Sequence, residues 1–269
     1  MKKRSIFSGA LLGAAVLVLL GGAFAWGAPG RWRSGGEPTF RAEMFRAVNP
    51  LDFTEEQWTK ADGILEKLRE QKWTAARVLF GLRGEVRSLF SGTEPFDGKK
   101  AGEVLASARP ELVKMAEGAL RAASDLYGML DEKQLAKAEN VLSLLEKRAE
   151  QRIADFPGKR HDFRFRHDFL NLTEEQRKNA ESLFTAEAPA MQERMGKLLA
   201  VLKEGRAALR DGTMDDGMIG KTAEKAVDIL SEGALAMAGT FGEFRGMLTP
   251  EQFEKVNRMW SRHGRRPRK

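Results

Sequence analysis

Apolar residues recur along most of this chain at the three- and four-residue intervals of an α-helix. Trp58, Ala61, Leu65, Leu68, Ala75, Leu79, Leu82, Val86 and Leu89 form one such stripe. It predicts a long amphipathic helix or a helix pair. Gly81 and Gly84 fall inside it and mark a break. A turn is expected at Ser91–Gly98. A second helical stretch then runs to Leu130, and a third begins at Asp131 and ends near Arg148. Leu183, Met191, Leu198, Leu202 and Leu209 form a later stripe. A Gly-rich turn at Asp211–Gly220 and a helix to Met247 follow it. Pro110 and Pro189 lie inside these patterns, where each should kink or restart its helix. No segment sustains the two-residue alternation of a strand, apart from a short piece near 163–166. The chain reads as all-α, with two antiparallel helical-hairpin domains.

One five-residue pattern marks where these helices begin. It occurs as Phe53-Thr54-Glu55-Glu56-Gln57, Leu130-Asp131-Glu132-Lys133-Gln134, Leu172-Thr173-Glu174-Glu175-Gln176 and Leu248-Thr249-Pro250-Glu251-Gln252. The first backbone N–H groups of a helix have no partner within it. Thr or Asp at the N-cap accepts from one of them, and Gln at the third helical position reaches back to the cap's own N–H. The apolar residue before the cap packs on the residue after the Gln. Phe53 has Trp58 there, Leu130 has Leu135 and Leu248 has Phe253, whereas Leu172 is followed by Arg177. Pro250 takes the first helical position, where a missing N–H costs nothing. Glu55, Glu56, Glu174, Glu175 and Glu251 place negative charge at the positive ends of the helix dipoles.

The four copies fall into two pairs of nearly equal span, Thr54 to Asp131 and Thr173 to Thr249. Between them Ser91-Gly92-Thr93 answers Asp211-Gly212-Thr213. So long a period implies a duplicated domain. The expected division is 45–150 for a first domain, 151–166 for a linker and 167–262 for a second domain.

The paired LTxxQ pattern resembles that of the Spy/CpxP family of small periplasmic helical proteins. The resemblance covers roughly Phe45–Arg148 and His167–Arg262. Leu172–Gln176 and Leu248–Gln252 fit the pattern fully, while Phe53 and Asp131 depart from it conservatively. The family includes ATP-independent chaperones, modulators of envelope-stress signalling and heavy-metal sensors. The resemblance therefore implies the fold more narrowly than the activity. It also implies the periplasm as the location. In related chaperones the binding surface is formed by a homodimer, so a chain with two copies is expected to form a pseudo-dimer by itself or to remain a homodimer.

Residues 1–25 read as an export signal. Lys2, Lys3 and Arg4 precede an apolar run from Ile6 to Phe24, and Ala23 and Ala25 stand at A-x-A spacing. Retention of the run as an inner-membrane anchor is the alternative. Residues 26–44 read as a spacer and 263–269 as a basic tail. The 269 residues carry a net charge of +7, three of it in the leader, so the remaining excess is mild. With no Cys, disulfides and thiol catalysis are excluded.

Candidate chemistry is sparse. Phe163, Arg164, Phe165 and Arg166 alternate between the halves. They read either as a linker docked on its neighbours or as a sticky strip contacting unfolded chains. Nucleic acid is not expected as a partner of an exported chain. His161 and His167 are the metal-ligand candidates, but they stand six apart rather than at the four-residue helical spacing. The 11 Met residues suit either core filling or an adaptable binding surface. There is no phosphate loop, no G-x-S-x-G and no H-E-x-x-H, so neither an enzyme nor a cofactor is expected. The expected function is an ATP-independent periplasmic chaperone that binds unfolded polypeptides on a curved helical surface. A heavy-metal sensor or modulator acting with an envelope sensor protein is the alternative, and a membrane-anchored scaffold is a third reading.

Overall fold

The computed structural model describes residues 51–91, 96–156 and 169–262. These residues are almost entirely helical, with no strand among them, as the apolar periodicity predicts. The helices are α1 (Glu55–Ser91), α2 (Gly98–Gly128), α3 (Glu132–Ala154), α4 (Glu174–Arg210), α5 (Asp216–Gly246) and α6 (Pro250–Arg262). α1 and α4 have 37 residues each, and α2 and α5 have 31 each. The expected leader, spacer and tail, and almost all of the Phe/Arg strip's surroundings, lie outside the described residues.

α1 packs on α2, α2 on α5 and α5 on α4, while α3 rests on α4. The two central helices therefore bury apolar side chains on both flanks. The seam of α1 repeats every seven residues: Ala61, Leu68, Ala75 and Leu89 are buried and Leu82 half-buried. Such a spacing keeps one stripe against a neighbouring helix as in a coiled coil. Leu68 and Ile64 meet Ala119 and Ala122 of α2. On the other flank of α2, Ala116 and Leu120 pack with Ile219, Ala223 and Val227 of α5. α5 then packs Ala226, Ile229 and Leu230 on Val201, Leu198 and Leu202 of α4.

Small residues let these helices approach closely. A Cβ on Gly242 would lie 2.4 Å from the Cβ of Phe96, which crosses from the α1–α2 turn onto α5. Phe96 in turn joins Leu89, Ala101 and Val104. α1 has no basic residue in its last turn. Arg245 of α5, buried, donates instead to the Leu89 carbonyl at 3.4 Å. A cation from another helix thus reaches the negative end of α1.

Several sequence-based boundaries shift. α1 runs unbroken through Gly81 and Gly84. α2 and α4 pass through Pro110 and Pro189 without restarting. Both prolines are exposed, so the carbonyl that each leaves without an N–H partner faces the solvent side of a helix held elsewhere by packing. α3 continues past Arg148 to Ala154, and its added turns bring Glu150 to Lys203 of α4. The turn before α5 is shorter than expected, because Asp215 caps that helix by accepting from the Met218 N–H.

Candidate functional site

The four caps form as the sequence predicts, but the glutamines do more than cap. In the first half, the Thr54 N–H donates to Gln57 Oε1 at 3.0 Å, and the Gln57 N–H donates to Thr54 Oγ1 at 3.2 Å. Asp131 and Gln134 repeat the exchange at 3.0 and 2.8 Å. The two glutamine amides then face each other. Gln57 Nε2 donates to Gln134 Oε1 at 2.8 Å, and Gln134 Nε2 donates to Gln57 Oε1 at 3.0 Å. The remaining amide hydrogens go to the carbonyls of Met129, at 2.7 Å, and Asp52, at 3.3 Å. Each amide oxygen thus accepts twice and each nitrogen donates twice, which uses the full capacity of a Gln side chain.

The second half has the same arrangement. Gln176 and Gln252 exchange hydrogen bonds of 2.9 and 3.0 Å. Their other donors go to the Met247 carbonyl at 2.6 Å and the Asn171 carbonyl at 3.1 Å. Thr173 and Thr249 complete both boxes. Gln134 and Gln252 are buried, so every one of these partners matters. We term each set a clasp, because it ties the start of one helix to the start of another far along the chain.

Two clasp residues are not apparent from the LTxxQ pattern. Asp52 and Asn171, each directly before the apolar motif residue, have φ of 52° and 51°. Asp and Asn are the non-glycine residues that best tolerate this left-handed backbone. The conformation aims their carbonyls at the Gln of the partner motif. The repeated signal was Leu51-Asp52 against Leu170-Asn171, with both leucines buried.

The staples are more varied. Phe53 stacks at a tilt on Trp58, ring centroids 5.3 Å apart, and Leu130 packs in one cluster with Leu135. Leu172 has no staple partner in Arg177, yet it is buried among Leu170, Ala180, Phe244 and Val256. Leu248 packs against that same cluster, while Phe253 lies under the Arg245 guanidinium at 4.6 Å.

A charged cluster fastens α3 to α4. Arg206 of α4 reaches Glu139 at 2.6 Å and Glu146 at 2.7 Å. The Tyr127 hydroxyl donates to Glu139 at 2.9 Å. Burial, with the hydrogen bond to Glu139 second, pushes the Tyr127 phenol up to about 12. Burial pushes the Glu139 carboxyl up, but the hydrogen bonds from Arg206 and Tyr127 outweigh it and hold the group below its ordinary range.

The surface between these fixed points carries isolated apolar side chains. Trp73 is 63% exposed, Phe169 49%, Leu144 46% and Met237 37%. Trp73 lines a shallow groove with Glu70, Thr74 and Arg77. Met191, by contrast, is buried, and Met214 packs on the α2–α5 cluster, so these two fill core space. Phe163, Arg164, Phe165, Arg166, His161 and His167 lie outside the described residues. Among the described residues no group of three His, Cys, Asp or Glu is placed to hold a metal ion. Among them, too, no helix is long and apolar enough to cross a membrane.

Residues 159–259 match the family model described as LTXXQ motif family protein. That segment contains both motifs of the second clasp. No curated protein and no solved structure matches the chain.

Proposed function

We propose that the whole chain is a two-copy LTxxQ protein of the Spy/CpxP type, exported to the periplasm, that binds unfolded polypeptides without ATP. The family match supports this for residues 159–259. The first clasp, which repeats the second bond for bond, extends the reading to residues 51–134. On this reading the domains are 45–150 and 167–262, the leader is 1–25, and one chain does the work of a pseudo-dimer.

The observation that carries the activity is the set of exposed apolar side chains, Trp73, Leu144 and Met237 on the helices and Phe169 before α4. Separate apolar anchors, well apart along the chain, suit weak contacts with many sequences. A Met side chain adapts its shape to what it meets. The charges around them supply long-range attraction that salt screens. No cofactor and no catalytic group enters this mechanism. The Phe163–Arg166 strip would add a further contact for such chains.

The test is the aggregation of a chemically denatured client, followed by light scattering, with the protein lacking residues 1–25. Protection without ATP or metal is expected. Absence of protection, together with stoichiometric zinc or nickel binding that is lost on changing His161 and His167, would replace the chaperone with the metal-sensor reading.

A further inference from the structure

α1 packs on α2 through its seam of Ala61, Leu68, Ala75 and Leu82. Glu70, Trp73 and Arg77 each stand two residues from one of these positions. At about 100° per residue, that puts them on the opposite side of the helix. There they line a shallow groove together with Thr74, and all four residues are exposed. Neighbouring charges on α1 are paired within the helix, Lys60 with Glu56 and Arg69 with Glu66, each at 2.8 Å. Among the described residues no ion pair engages the Glu70 carboxylate or the Arg77 guanidinium. The groove therefore holds an exposed indole between an unpaired anion and an unpaired cation.

The order of these residues is self-complementary. Glu70 and Arg77 are equally far from the point midway between Trp73 and Thr74. A second α1 laid antiparallel across that point sets Glu70 of each copy against Arg77 of the other. It also sets Trp73 of each against Thr74 of the other. Such a contact is isologous: residue i meets j, and j meets i, about a two-fold axis. One turn further out, Glu66 of each copy faces Gly81 of the other. Gly81 is exposed, and a Cβ there would have no atom within 4 Å among the described residues. Glycine inside a helix is unfavourable, and packing within the chain does not call for it at this position. Against a second α1 it leaves room for the longer Glu66 side chain.

We infer that the outer face of α1 is a self-association surface, on which two chains pair through antiparallel α1 helices. Two Glu70–Arg77 ion pairs flank the two Trp73 rings in this contact. A second copy is the occupant because it supplies both opposite charges and the indole at the required spacing. The contact is one helix face wide, so the association is weak and reversible. The inference goes beyond the chaperone reading. Trp73 is one of the anchors proposed for clients, so a client and a second copy would compete for it.

The test is sedimentation equilibrium of the protein lacking residues 1–25, with no client present. The wild type is expected to self-associate over about 0.1–1 mM, and less at high salt. Glu70→Arg and Arg77→Glu each set like charges at both crossings, and each should weaken association at least about ten-fold. Both variants should melt with the wild type, because neither group is paired within its own chain. An equal mixture of the two variants is the decisive arm. Each arginine of one then meets a glutamate of the other at both crossings, and association should return to within about three-fold of the wild type. A wild type that stays monomeric up to about 1 mM would overturn the inference. So would association that survives both single variants, or a mixture no more associated than its components. No client enters these measurements, so their failure leaves the chaperone reading standing, and failure of client protection leaves this inference standing.

Discussion

α1 and α4 are the same length and begin with the same capping box, yet they differ in the middle of their buried stripes. α1 presents Ala61, Leu68, Ala75, Leu82 and Leu89 at seven-residue intervals. The corresponding positions of α4 are Ala180, Glu187, Arg194, Val201 and Ala208. Glu187 and Arg194 form an ion pair of 2.5 Å where α1 buries Leu68 and Ala75. The ends of each hairpin are held by the same pairs of caps and glutamines, while the middle accepts either oil or a salt bridge. A clasp has one solution, because every donor and acceptor in it is used. A helix seam has many, because apolar packing is not directional.

The sharpest way to break that comparison is to alter a clasp. Gln134→Glu removes both amide donors and sets a carboxylate beside the Gln57 amide oxygen and the Asp52 carbonyl. We expect a loss of about 2–4 kcal/mol in urea unfolding, with Gln252→Glu giving a similar loss in the other half. If either change costs no more than a surface substitution, the clasps do not hold the hairpins together.

Next in size is Gly242→Ala, expected to cost about 1–3 kcal/mol, because the new methyl meets Phe96 near its backbone. Gly118→Ala is the control. Its methyl would meet only the terminal amide of Gln71, which can swing away, so little change is expected.

The ion pair in α4 comes next. Arg194→Ala alone strands the partly buried Glu187 and should cost about 1–3 kcal/mol. Giving α4 the residues of α1, Glu187→Leu with Arg194→Ala, should be neutral or stabilising by about 1 kcal/mol. A double variant less stable than the single one would show that the polar pair is required in α4.

The Glu139 cluster predicts the smallest effect, visible through pH. Its carboxyl titrates below the ordinary value of 4.5 in the folded chain, so its contribution is present above that value. It is lost as pH falls through the depressed folded value. Glu139→Gln should therefore lower stability at pH 7, where the carboxylate's bonds to Arg206 are lost, change it little below the depressed folded value, and so flatten the acid limb of the profile. An acid limb unchanged by the substitution would contradict this.

Much of the fold was legible because helix signals are local. The stripes, the caps and the paired spans all follow from residues within a few positions of one another. What escaped depends on partners far along the chain. Nothing near Pro110 or Pro189 in sequence says that packing will carry the helix through. Gln57 and Gln134 look like two independent caps until the fold sets their amides face to face. Asp52 and Asn171 become informative only when seen as matching positions before the motif. Arg206 is one more basic residue of an amphipathic helix until α3 lies across it. The site was less legible than the fold: exposure of Trp73 or Met237 depends on which flank of each helix finds a neighbour. The expected contacts Phe163–Arg166 and the ligand candidates His161 and His167 lie outside the described residues.

On the function proposed above, the clasps set the frame and the exposed apolar side chains are the working surface. The most direct test is light scattering from a denatured client in the presence of the Trp73→Ser/Met237→Ser variant, alongside its thermal unfolding. The account predicts weakened protection with an unchanged melting temperature, since neither side chain is buried. Full protection by this variant would contradict it.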